Sequence, residues 1–176
     1  MSQSPVSMVQ RDVMIKIIAI ALIILCMVPV YASPGQIGTM APAFILTDLN
    51  GQMVTSPQFK GKVVFLDFWA IWCKSCREEL PELNRLYMKF REEGFTIIGI
   101  SVDASQARVA AFLKKLPVTF PILIDQKGDV VEAYRFSGLP AGFLIDRDGI
   151  IRKQYKGFAM DLLPLYEKDI SDLLKQ

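Results

Sequence analysis

The chain has no histidine among its 176 residues. That absence removes Ser-His and Cys-His nucleophilic catalysis, Cys2His2 zinc sites and histidine-ligated haem together. Covalent c-type haem attachment also falls, because Arg77 stands where a histidine would have to follow the second cysteine of a C-x-x-C pair. Cysteine is scarce as well. Cys26, Cys73 and Cys76 are too few to staple a small scaffold. Charge of one sign is lacking: 20 Lys and Arg against 18 Asp and Glu leave +2, with no like-charged block to suggest a nucleic-acid partner. Internal repeats and low-complexity tracts are missing too. Chemistry in this chain must therefore come from thiols and carboxylates, in a length that suits one domain.

What is present begins with an apolar run, "IIAIALIILCMVPV" at 17–30, preceded by Arg11 and Lys16 and followed by the turn-forming "YASPG". Val30-Tyr31-Ala32 reads as a cleavage site after a secretory signal. Counted from Val13, the same stretch approaches the ~20 apolar residues of a membrane-spanning anchor, with Lys16 snorkelling toward the headgroups. Residues 1–34 are thus expected to be a signal peptide or an N-terminal membrane anchor. Either form exports residues 35–176 to a compartment where disulfides persist, the periplasm or outer face of the cytoplasmic membrane. Cys26, preceded by Leu25, reads as apolar filler in this run.

In the exported part, apolar-alternating pieces around Asn50-Gly51 signal a hairpin, and "KVVFLDFWA" (62–70) a buried strand. Leu80, Leu83, Leu86, Tyr87 and Phe90 recur at helical spacing, and Gly94 closes that helix. A strand at 95–102, a helix at 105–116 stopped by Pro117, a strand at 120–125 and a short helical patch through Val130, Val131 and Tyr134 follow. Residues 141–157 read as two strands joined at Asp148-Gly149, and 160–175 as a closing helix. The alternation gives an α/β fold, a central mixed β-sheet flanked by helices with an N-terminal β-hairpin extension.

The chemistry sits in "FWAIWCKSCREELP", residues 68–81. If Cys73 caps the helix, unpaired N–H groups and the helix dipole favour its thiolate, the attacking species in disulfide exchange. Cys76, one turn in, is the natural resolving thiol. A structural disulfide over three residues would restrain the unfolded chain very little. A metal site would need ligands beyond two cysteines. Redox catalysis is the reading left standing, with no metal and no bound cofactor.

"VVFLDFWAIWCKSCREELPELNRLY" resembles the active-site region of thioredoxin-like proteins, above all the exported ResA/TlpA group of thiol-disulfide oxidoreductases, related to AhpC/TSA-type redoxins. "GTMAPAFILTDLNG" resembles that group's N-terminal extension and "GLPAGFLIDRDG" its proline-strand-turn segment. The resemblance implies a thioredoxin-like fold and a Cys73–Cys76 redox-active disulfide. It also implies a cis bond before Pro140, lying against the disulfide, with the Leu139 backbone available to pair with a substrate peptide; Trp72, a core or rim aromatic by its own setting, is a further candidate for touching the substrate. A disulfide-containing protein substrate is implied, apocytochrome c foremost, with a membrane thiol-electron carrier as reductant. Pro81 matches the family's helix-kinking proline. Two residues depart from the pattern: Ser75 replaces a common proline, and Gly142 stands where Thr is usual.

Two carboxylates qualify as the base for Cys76. Asp67 is the sole charge in residues 63–72, and Glu79 lies three residues after Cys76 on the same helix face. Asp67 is expected to be the more desolvated, and Glu79 to reach water. A thiol peroxidase of the peroxiredoxin class is the main rival reading, but Ala70 stands where that class has Thr or Ser. A copper carrier on the same fold would need wider cysteine spacing and a histidine.

Overall fold

The computed structural model describes residues 35–176 together with Val13, Met14, Lys16 and Ile18. The expected signal or anchor at 1–34 lies outside the described residues but for those four. Among the described residues no helix is long and apolar enough to cross a membrane. The elements run β1 (Ile45–Asp48), β2 (Met53–Thr55), β3 (Val63–Trp69), α1 (Lys74–Phe90), β4 (Phe95–Ser101), α2 (Gln106–Leu113), β5 (Ile122–Ile124), α3 (Asp129–Tyr134), β6 (Ala141–Ile145), β7 (Ile151–Lys156) and α4 (Leu163–Leu174).

The strands form one seven-stranded sheet in the order β2-β1-β5-β4-β3-β6-β7. β3 runs parallel to β4 and β4 to β5, while β6 lies antiparallel to β3 and the β1–β2 hairpin extends the sheet antiparallel to β5. This is the mixed sheet that the sequence led us to expect. β3 is central and all seven of its residues are buried, because both faces are covered. Its odd positions Val63, Phe65 and Trp69 pack with Leu80, Leu83 and Leu86 of α1 and with Tyr166 and Ile170 of α4. Its even positions Val64, Leu66 and Phe68 pack on the other face with Val130 and Tyr134 of α3. Each leucine that α1 buries contributes about 1.5–3 kcal/mol.

Cys73 is the N-cap of α1, and Gly94 stops the α1 segment at φ 89°, a left-handed conformation that glycine adopts without a Cβ penalty. Pro81 lies inside α1, and the helix runs through it. The second helix is shorter than expected. It ends at Leu113: the Lys115 N–H turns back to the Phe112 carbonyl in a tighter i→i−3 bond, and the chain has left the regular helix before Pro117. The β1–β2 hairpin owes its turn to Asp48 as well as to Asn50-Gly51: the Asp48 carboxylate accepts from the Asn50 and Gln52 N–H groups at 2.8 Å each.

Candidate active site

The site lies where β3 gives way to α1. The connecting loop is tied from both sides. Asp103, just beyond β4, accepts from the Ile71 N–H at 2.8 Å and from the Ser101 hydroxyl at 3.0 Å. Arg77 donates from α1 to the Ile71 carbonyl at 2.7 Å. These contacts hold Trp72 out, 70% exposed, immediately before Cys73.

Cys73 and Cys76 form a disulfide with Cα atoms 5.3 Å apart. Cys73 Sγ accepts the Cys76 N–H at 3.2 Å, in the place an N-cap oxygen usually occupies, and lies 3.5 Å from the Ser75 hydroxyl. Cys73 keeps 7% exposure whereas Cys76 has none. Cys73 is thus the more accessible of the pair, and Cys76 is fully shielded. The helix N-terminus that holds Cys73 favours negative charge there once the disulfide is reduced. Lys74 is exposed and pairs with Glu78 at 3.8 Å.

Two carboxyls on the elements that flank the disulfide, Asp67 of β3 and Glu79 of α1, are buried. Asp67 is 1% exposed, and so is Glu79. The expectation that Glu79 reaches water is overturned: α4 closes over that face of α1, and Tyr166 of α4 donates its hydroxyl to Glu79 Oε1 at 3.0 Å. Both Asp67 oxygens, Glu79 Oε2 and the Trp69 indole N–H are buried with no hydrogen-bond partner among the described residues. Buried polar groups left unpaired are rare in folded proteins, and here they collect at one place. Burial raises the Asp67 carboxyl far above the ordinary carboxylate range. Burial, then the Asp67 charge, raises Glu79 likewise, while the Tyr166 hydrogen bond pulls it back.

The sheet register explains how Asp67 fits. It pairs with Gly99 on β4 and Gly142 on β6, so glycine flanks it on both sides of the same sheet face. A Cβ at Gly142 would lie 2.7 Å from Phe65 Cζ, and one at Gly99 would lie 2.7 Å from Ile122 Cδ1 and 3.2 Å from Trp69 Nε1. Phe65 and Tyr155 fill the space at Gly142, and Ile122, Phe120 and Trp69 the space at Gly99. The usual Thr has no room at Gly142 in this chain. The peptide bond between Leu139 and Pro140 is cis, as the resemblance implied, and leads directly into β6.

Sequence reasoning named Cys73, Cys76, Asp67, Glu79, Trp72, Leu139 and Pro140. The fold brings Asp67 close enough to Glu79 for its charge to raise the Glu79 carboxyl. Tyr166, Asp103, Gly99 and the role of Gly142 beside Asp67 were missed. Asp103 carried a usable signal, since polar residues just past the carboxyl end of a parallel strand often line α/β sites. Tyr166 carried none: in the closing helix it reads as one more core position.

The AhpC/TSA family model matches residues 37–154. The thiol-disulfide oxidoreductase ResA of Bacillus thuringiensis subsp. konkukian is 43% identical over 122 residues, covering 69% of this chain and 70% of that protein. ResA of Bacillus subtilis is 38% identical over 120 residues, covering 68% and 67%. Among solved structures, a thiol:disulfide interchange protein DsbE from Chlorobium tepidum superposes with a TM-score of 0.76 at 34% identity, over 79% of this chain and 98% of that one. StoA from Bacillus subtilis does so with 0.62 at 26% identity, over 72% and 95%. These likenesses make the fold thioredoxin-like.

Proposed function

We propose a reductive role for this chain, which belongs to the AhpC/TSA family and is a thiol-disulfide oxidoreductase acting on disulfide-containing substrates. The observation that carries the proposal is the Cys73–Cys76 disulfide at the start of α1, Cys73 capping the helix with 7% of its surface exposed and Cys76 with none. In the reduced enzyme the Cys73 thiolate attacks one sulfur of a protein disulfide. The substrate's other sulfur leaves with the bonding pair and takes a proton from water. Cys76 then gives its proton to the Asp67–Glu79 carboxyl pair, and its thiolate attacks Cys73 Sγ. The first substrate sulfur leaves with the electron pair and receives that proton. Two electrons have moved to the substrate, and the enzyme holds the disulfide.

Exposed Trp72 and half-buried Leu139, the latter held ahead of β6 by the buried cis Pro140, form the surface offered to the substrate chain. The domain works outside the cytoplasm, carried there by residues 1–34 as signal or anchor. A membrane thiol carrier returns two electrons to the Cys73–Cys76 pair. Apocytochrome c, whose paired cysteines need reduction before haem attachment, is the client we propose. Reduction rather than oxidation is favoured because Lys74 and Ser75, not histidine, separate the cysteines.

The test joins trapping to a potential. Cys76→Ser should accumulate a covalent Cys73–substrate complex, and Cys73→Ser should do nothing. The Cys73–Cys76 couple should poise near the thioredoxin value, about −270 mV. A Cys76→Ser enzyme that turns over like the parent would reverse the assignment of the two thiols. A potential near −120 mV would make the protein an oxidant. Rapid peroxide consumption by the reduced enzyme would restore the peroxidase reading.

A further inference from the structure

We propose that the Tyr166 hydroxyl is a positioning group that assigns the base for Cys76 to Glu79 rather than to Asp67. The inference rests on the reading that the carboxyl pair takes the Cys76 proton. It begins from an asymmetry. Of the four carboxyl oxygens in the pair, three have no hydrogen-bond partner, and the fourth, Glu79 Oε1, accepts from Tyr166 at 3.0 Å. No Lys or Arg among the described residues lies within ion-pair distance of either carboxyl. A buried carboxylate with a donor is far better tolerated than one without. Glu79 therefore ionises first, and Asp67 keeps its proton. Glu79 also sits on the helix of Cys76, three residues on, where the side chains share a face.

The tyrosine is held for this purpose by its ring. Tyr166 is fully buried on α4, with its ring centroid 4.5 Å from Tyr155 of β7 and 5.2 Å from Phe65 of β3. The neighbouring tyrosine serves a different carboxylate. Tyr155 donates to Asp169 at 2.8 Å, and Lys153 of β7 reaches the other Asp169 oxygen at 3.1 Å. Asp169 thus has its own donor and cation, which leaves the Tyr166 hydroxyl to Glu79. The titratable groups facing Glu79 are Asp67 from β3 and Tyr166 from α4, with Cys76 on its own helix. Those facing Tyr166 are Glu79, Asp67 and Tyr155, with Lys153 and Asp169 beyond. Burial and the nearby acidic groups raise the phenol well above its ordinary value, so Tyr166 stays a donor throughout the working range.

Tyr166→Phe keeps the ring and deletes only the hydroxyl. Single-turnover kinetics against pH, following formation and decay of a mixed disulfide separately, should show the half-maximal pH for decay rising by about one unit. Formation should keep the parental profile. In a Glu79→Gln background the Tyr166→Phe change should add nothing, whereas in Asp67→Asn the shift should persist. A carbon-13 titration of the Glu79 carboxyl in oxidised Tyr166→Phe should rise by the same amount, and that reading does not depend on turnover. If Glu79→Gln moves the decay profile and Tyr166→Phe does not, the tyrosine proposal fails alone. If neither moves it, the carboxyl reading itself fails. A shift of equal size in the Glu79→Gln background would show that Tyr166 acts on something other than Glu79.

Discussion

The buried carboxyls should write themselves into the stability of the oxidised protein. An Asp in the unfolded chain releases its proton near 3.9, while burial holds that of Asp67 up to about 8. Between those values the fold binds one proton more than the unfolded chain. Stability is then greatest below the unfolded value and falls as pH rises, by about 1.4 kcal/mol per unit for each proton retained. Glu79 is raised by burial too, so the pair holds one or two protons through the neutral range. From pH 5.5 to 7.0 the loss should be about 2 kcal/mol for one proton and about 4 kcal/mol for two. That is a large share of the ~5–15 kcal/mol that holds a domain together.

The absence of histidine makes this measurement clean, because no other side chain in the sequence has an ordinary value in that window. Keeping the disulfide intact removes Cys73 and Cys76 from the titration. Asp146 does not interfere. Burial would raise it, but the Ile150 N–H and Arg152 outweigh burial and lower it, so its change falls at acid pH. The assay is urea unfolding at fixed pH, followed by the emission of buried Trp69. Asp67→Asn is neutral and nearly the same shape, so it should reduce the slope by about 1.4 kcal/mol per pH unit and raise stability at pH 7. A parental profile that is flat from pH 5.5 to 7.0 would refute the reasoning outright. So would an Asp67→Asn profile with the parental slope.

Two further outcomes follow from the geometry. Gly142→Thr places its Cβ against Phe65, whose ring is stacked on Tyr155 at 5.7 Å between centroids. Overpacking of this kind costs about 1–3 kcal/mol, and an unchanged urea midpoint would mean that the aromatic row has slack. For location, a membrane-impermeant thiol reagent should label reduced Cys73 in intact spheroplasts; labelling confined to lysed cells would place the domain on the inner side.

The parts of the fold legible in the sequence were those set by near neighbours. The β3 run, the leucines of α1 and Gly94 declare themselves through periodicity and backbone conformation, and they suffice to put Cys73 at a helix start. Where α2 stops was hidden. "KKLP" offers Pro117 as the obvious breaker, yet the turn back to Phe112 comes first. The burial of Glu79 was hidden for a different reason. Glu78, Glu79 and Glu82 look alike on a helix, and only the packing of α4, more than 80 residues on, covers the one and not the others.

The carboxyl pair shows why such a site resists reading from one segment. Asp67 is tolerable on a fully buried strand because Gly99 and Gly142 stand beside it in the sheet and because it can keep its proton. Those glycines belong to strands on either side, and each alone reads as a weak point in a strand. Glu79 is tolerable because Tyr166 answers one of its oxygens. Neither carboxyl has a cation among the described residues, so each is held less by pairing than by the freedom to stay neutral. That freedom is what the resolving step needs. A group that is charged at all working pH values takes no proton usefully, and one fixed by a lysine would have too low an affinity for it. The same missing partners that lower the stability of the fold at high pH would, in the role proposed for it, let Glu79 take a proton from Cys76.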